Sequence, residues 1–157
     1  MLSKSLQSLL PLLAAQKPHY VTTHIHRFPY LLTEGDTLRL PFHMHGVGPG
    51  DVLRLNRASI LGSRDYTLKA GTKFTESYDG KRISGGPNYI DERLFECRAR
   101  VMGTDTGPMV VEIKTKRRQR KKKHVRSKHK YTVLKVMQVR VKGLEELRGN
   151  GEDMVLQ

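Results

Sequence analysis

The stretch from Lys114 to Lys130, KTKRRQRKKKHVRSKHK, sets the terms on which this chain can fold. Of its 17 residues 11 are Lys or Arg, His124 and His129 add two imidazoles, and none is acidic. Such a run repels itself and has no internal partner for its charge, so it cannot enter a core. Folded material must lie on either side of it. The segment that follows, Tyr131 to Val141 (YTVLKVMQVRV), is apolar and β-branched, which makes the run an excursion from a folded domain rather than a terminal tail.

The charge is confined to this place. With 11 of the 29 Lys+Arg in the run, the remaining 18 face 15 Asp+Glu, a balance of +3 within a net charge of +14. A polyphosphate surface fits such a concentration, because neutralisation and release of condensed counterions would order the run. RNA or DNA is the first candidate, and the residues expected to contact it are Lys114, Lys116, Arg117, Arg118, Arg120, Lys121, Lys122, Lys123, His124, Arg126, Lys128, His129 and Lys130. A nuclear-localisation signal or a solvated tail is the plainer use of a basic run. Its position between foldable segments argues against both.

The length of 157 residues and a hydrophobic content of 37% without Trp allow one modest core. A single cysteine, Cys97, excludes an internal disulfide and a cysteine-rich zinc site. The longest apolar run, Leu9 to Ala15, is interrupted by Pro11 and falls far short of the roughly 20 residues of a membrane helix. No membrane partner is expected.

Residues 1–18 are rich in Leu and Ser, and no acidic residue precedes Glu34. This composition suits an organellar transit peptide, and almost as well a short helix that docks on the domain or on a partner. From Tyr20 the texture becomes short β-like pieces. Tyr20 to Ile25 has strand composition, and Pro29 ends or edges it. Gly35 to Leu40 and Gly50 to Leu55 both read GDxLRL, each a Gly-Asp turn feeding a strand with two leucines on one face and the Arg on the other. Two copies are too few for a solenoid.

Asn56 to Leu61 and Tyr66 to Leu68 continue the rhythm, and Gly71 to Asn88 reads as a long loop. In Tyr89 to Met102, Phe95, Cys97, Ala99 and Val101 alternate with Glu96, Arg98 and Arg100, the pattern of a half-buried strand; a helix over Asp91 to Arg100 is the alternative. Gly103 to Pro108 reads as a turn, Met109 to Ile113 as the strand entering the basic run, and Tyr131 to Val141 as the strand leaving it. The acidic-leaning tail, residues 144–157, is expected to project. The whole predicts an all-β protein, a small antiparallel barrel over 19–143 with the basic loop 114–130 between its last two strands. At about 3.3 Å per residue the loop has a path of roughly 55 Å, or half that as a hairpin.

Catalytic patterns are missing. His24 with His26, and His43 with His45, are spaced to share a strand face, but no carboxylate or cysteine lies nearby in sequence to complete a metal site. Gly46 to Gly50 is glycine-rich yet lacks the Lys-Ser/Thr of a phosphate-cradling loop and precedes a strand. No nucleophile elbow or paired-carboxylate arrangement is present. No enzyme activity, cofactor, metal or small-molecule substrate is expected.

The order GDxLRL, a second Gly-Asp turn, Gly86-Pro87 before an alternating strand, and then KTKRRQRKKKHVRSKHKYTVLKV resembles bacterial-type large-subunit ribosomal protein twenty-one, in its mitochondrial form. The likeness covers about Tyr20 to Gly143 and is strongest from Gly86 onward. Lys128-His129-Lys130 stands where the family has a Gly-His-Arg-like signature, with Ser127 in place of its Gly. The family's early Gly-Gly-Lys-Gln stretch is absent between Tyr20 and Thr33, and the 71–88 loop is longer. The resemblance implies a small β-barrel in the mitochondrial ribosome. Such a protein binds large-subunit ribosomal RNA, touches neighbouring large-subunit proteins and inserts its basic loop among RNA helices without catalysis. Two other classes compete: a non-ribosomal RNA-binding barrel, which would display aromatic platforms for bases, and an assembly factor whose basic arm grips an acidic protein.

Overall fold

A computed structural model describes residues 4–26, 28–71, 74–76, 82–84 and 88–148. Two compact units emerge along the chain, where composition suggested one core. The first comprises residues 1–36, 53–99 and 136–157; the second comprises 37–52 and 100–135.

The first unit opens with helix α1 (Lys4–Ala15). Leu6, Leu9, Leu10 and Leu13 recur at helical spacing, and Leu10 and Leu13 are fully buried. The segment after it is tied down by polar contacts: the Gln16 side chain donates to Asp65 at 3.0 Å and accepts from Ser63 Oγ at 3.1 Å. His19 and the Leu13 carbonyl are 2.8 Å apart.

Strands β1 (Tyr20–Ile25), β2 (Phe28–Thr33), β5 (Ala58–Gly62) and β6 (Thr67–Lys69) form an antiparallel sheet in the order β2-β1-β5-β6. Pro29 sits in β2, on the sheet edge, where its missing N–H leaves no interior ladder bond open. Tyr20 faces Gly62 across β1 and β5, and a Cβ at Gly62 would collide with the tyrosine ring. Part of the expected 71–88 loop is a hairpin, β7 (Phe74–Glu76) with β8 (Arg82–Ser84). The rest of that loop lies outside the described residues, apart from its two ends, as does the tail beyond Arg148. The tail does not simply project, because it begins as α2 (Leu144–Arg148) with Leu147 buried and Arg140 paired to Glu146.

The two GDxLRL segments become two turns of one design. Gly35 N–H donates to the Val136 carbonyl at 3.0 Å while Val136 N–H returns to Asp36 at 2.8 Å; Gly50 and Asp51 make the same exchange with Val101, each bond 2.8 Å. Each aspartate also folds back, Asp36 Oδ2 accepting from Thr33 N–H and Asp51 Oδ2 from Gly48 N–H, both at 2.7 Å. Gly35 and Gly50 have φ of 91° and 99°, in the left-handed region where a side chain would be strained. These turns feed β3 (Thr37–Arg39) and β4 (Val52–Arg54). The two short strands edge a sheet ordered β3-β12-β9-β4, whose centre is β9 (Phe95–Thr106) and β12 (Lys130–Val141). Leu38 and Leu53 are half-buried while Arg39 and Arg54 are exposed, as the alternation predicts.

Strand β9 buries Phe95, Cys97, Ala99 and Val101 on one face. It begins later than the alternation suggested, after a turn closed by Leu94 N–H on the Asp91 carbonyl at 3.1 Å. It then runs through the expected Gly103 turn as far as Thr106. The glycine was misleading because extended backbone is also open to it. Strand β12 buries Leu134, Val136, Val139 and Val141.

The pairings of β1 with β2 and β5, of β5 with β6, and of β12 with β3 are antiparallel, in agreement with the expected all-β class. Closure into a barrel is not seen: each four-stranded sheet ends in strands with a single partner among the described residues. The first unit holds most of the buried apolar side chains. In the second they are Leu40, Val101 and Leu134.

Candidate nucleic-acid interface

In the second unit the basic run is half strand rather than loop. Strand β10 (Val110–Thr115) pairs antiparallel with β11 (Lys122–Ser127) as a two-stranded sheet of its own. The run therefore takes its shape from backbone pairing, which its side-chain repulsion does not prevent. At about 3.3 Å per residue, six paired residues give an arm about 20 Å long, before its turn is counted.

Register sorts the side chains. Lys122, His124 and Arg126 share a face with Val111, Ile113 and Thr115; Lys123, Val125 and Ser127 share the other with Val110, Glu112 and Lys114. Lys114 lies directly opposite Lys123, a like-charge pair that destabilises the hairpin unless an anion bridges it. The remaining expected contact residues fall in order along the chain. Lys116, Arg117, Arg118, Arg120 and Lys121 make the turn, Lys128 and His129 link β11 to β12, and Lys130 opens β12.

All thirteen expected contact residues are exposed, and none of the Lys and Arg among them makes an ion pair among the described residues. The tip closes with Gln119 N–H on the Lys116 carbonyl at 3.4 Å. Arg118 has φ of 58°, a left-handed conformation that costs an ordinary residue roughly 1–2 kcal/mol. A glycine would relieve that cost but carry no charge.

The root of the arm is fastened where its tip is not. Gly107 N–H donates to the His129 carbonyl at 2.8 Å, and a Cβ on Gly107 would press on the Tyr131 ring. The Arg39 guanidinium lies 4.3 Å from the centre of that ring and 3.0 Å from Asp105, a cation–π contact reinforced by an ion pair. Thr132 Oγ1 accepts from Met44 N–H at 2.9 Å.

Sequence reasoning missed the apolar part of this surface. Met102, Met109, Val111 and Ile113 are about half exposed or more. The clue was available in Met109 to Ile113, where two adjacent valines and an isoleucine break the alternation of a half-buried strand. The arm can thus offer cations to phosphates and methyl groups to sugars, base edges or a protein surface.

The other singled-out residues have structural surroundings. His43 and His45 pack edge to face, ring centres 4.8 Å apart, and among the described residues no three His, Cys, Asp or Glu gather to hold a metal ion. Cys97 is buried, which pushes its thiol up to about 12. A thiol held protonated is a packing group, not a nucleophile.

Strands that hold out an exposed basic arm on a fastened root define a β protein whose positive charge is concentrated on one surface element. The chain belongs to the family described as Ribosomal prokaryotic L21 protein, whose model matches residues 19–139. It is 58% identical over 146 residues to large ribosomal subunit protein bL21m of Neurospora crassa, across 93% of this chain and 60% of that protein. It is 32% identical over 135 residues to the aconitase-ribosomal protein bL21m fusion protein of Schizosaccharomyces pombe, across 86% of this chain and 13% of that protein. The chain thus spans less than two thirds of either relative.

Proposed function

We propose that this protein is a structural, non-catalytic constituent of the large subunit of the mitochondrial ribosome, and that it binds large-subunit ribosomal RNA through the β10–β11 arm. One observation carries the reading: the basic side chains of the arm are all exposed, have no acidic partner among the described residues, and include Lys114 opposite Lys123. A polyphosphate relieves that repulsion, and burial in a protein core does not. Family membership supplies the ribosomal context, and the mitochondrial assignment follows the names of the two fungal relatives. The exposed apolar residues of β10 supply contacts for neighbouring ribosomal proteins or RNA sugars.

Under the same reading helix α1 (Lys4–Ala15) acts as a docking helix that stays with the fold, a reading supported by the burial of Leu10 and Leu13. The test is sedimentation of a tagged copy from mitochondrial lysate. Co-migration with the large subunit through high-salt washing supports the proposal. Migration with free protein, or with a small acidic-protein complex, overturns it in favour of an assembly factor.

A further inference from the structure

The first unit holds a pocket of about 540 Å³ whose walls include Thr23, His24, Arg54, Asn56, Arg57 and Tyr89, within the ~300–1,000 Å³ range of small-ligand sites. None of its lining residues belongs to the arm. Its construction starts from an irregularity. Strand β1 pairs with β5 regularly until Thr22 opposite Ile60, then jumps to Thr23 opposite Ala58, leaving Ser59 as a bulge. Bulges re-aim side chains, and Ser59 Oγ comes within 2.8 Å of His24 Nε2. The imidazole is held again by Tyr89, edge to face at 5.3 Å and 71°. The chain beside Tyr89 is pinned by Ile90 N–H on the Ala58 carbonyl at 2.7 Å.

Two residues of the wall are left incomplete. His24 Nδ1 and Thr23 Oγ1 are buried polar atoms without a hydrogen-bond partner among the described residues, an arrangement that costs free energy. The charge at the rim is positive. Arg54 donates to the Glu92 carbonyl at 3.1 Å and Asn56 to the Glu92 carboxylate at 2.9 Å, which fixes both in place, whereas the Arg57 side chain is exposed with no acidic partner among the described residues.

An aromatic wall and an unspent guanidinium suit a planar, anionic ligand. We infer that the pocket receives one unpaired nucleotide of RNA, with its base against His24 and Tyr89 and its phosphate on Arg57. This rests on the RNA-binding reading above and adds a second contact, which reads a single-stranded nucleotide where the arm grips phosphates.

The test uses the full chain with Arg117, Arg118, Arg120, Lys121, Lys122 and Lys123 replaced by Gln, so that binding by the arm is suppressed, and a short fluorescein-labelled oligouridylate as probe. Residual binding is expected. Tyr89→Leu weakens it roughly tenfold at an unchanged salt slope, and Arg57→Gln lowers the slope by about 0.7. A 4-thiouridine version of the probe should cross-link to the peptide containing Tyr89. Arg57 is exposed, so its variant folds even if Tyr89→Leu does not. No residual binding, indifference to both substitutions, or binding of a Glu-rich peptide in place of RNA overturns the inference. The unaltered protein serves as control. If it binds RNA while the pocket variants are silent, only the pocket assignment falls; if it binds no RNA, the RNA-binding reading falls with it.

Discussion

Asp36 shows how one side chain fixes a turn and links it to pH. Thr33 donates to Asp36 Oδ2 from both its backbone N–H and its hydroxyl, each at 2.7 Å, and these bonds hold the carboxyl below its ordinary value of 3.8. A depressed carboxylate binds fewer protons folded than unfolded at acid pH. Its contribution is therefore present in full above the unfolded value and is lost as pH falls through the folded one. Asp36→Ala should lower the melting temperature most at neutral pH, with the gap to wild type narrowing as pH drops below 3.8. Paired melts across that range check this, and a gap independent of pH would assign the effect to the turn's shape alone. The turn was legible in the sequence because Gly-Asp is a local signal. The back-bond from Thr33 was less so, since it needs the three-residue spacing to be read together with the bend.

At the scale of elements, legibility tracked how local the deciding interactions are. The alternation in β9 gave away its buried face, and the composition of Tyr20 to Ile25 matched the observed bounds of β1. Helix α1 was ambiguous because Pro11 and an acid-poor composition fit a transit peptide as well as a helix. Leu10 and Leu13 are buried and α1 lies beside α2, packing that composition does not reveal. Pro11 inside α1 forfeits one backbone bond, a cost offset by burial on the leucine face. Leu13→Ala should destabilise the protein by about 2–5 kcal/mol, the range for deleting a buried leucine side chain. Chemical denaturation reads it directly, and an unchanged midpoint would mean that the helix is an appendage. The arm was misread in the opposite sense: its charge predicted a loop, yet β11 forms, because pairing to β10 uses backbone groups that composition does not reveal.

For the whole molecule the governing fact is that most of the net charge, +11 of +14, sits in the run 114–130, a separation visible in the sequence itself. The register that sorts the arm into two faces, and the bulge that builds the His24 pocket, were not visible, because each depends on which residues oppose one another. The segregation leads to a prediction in which affinity and stability part company. Phosphate contacts position a protein but carry little sequence information, so no single Lys or Arg of the arm should be indispensable and losses should be graded. Replacing Arg117, Arg118, Arg120, Lys121, Lys122 and Lys123 by Gln removes up to six phosphate contacts. The slope of log affinity against log salt for large-subunit RNA should then flatten by as much as about 4 to 5. The melting temperature should hold or rise, since these side chains are exposed and their repulsion disappears with their charge. Such a protein folds but should not assemble stably into subunits. A salt titration beside a thermal melt separates the outcomes: an unchanged slope would show that the arm does not meet phosphate, and a collapsed transition that the arm helps hold the second unit together.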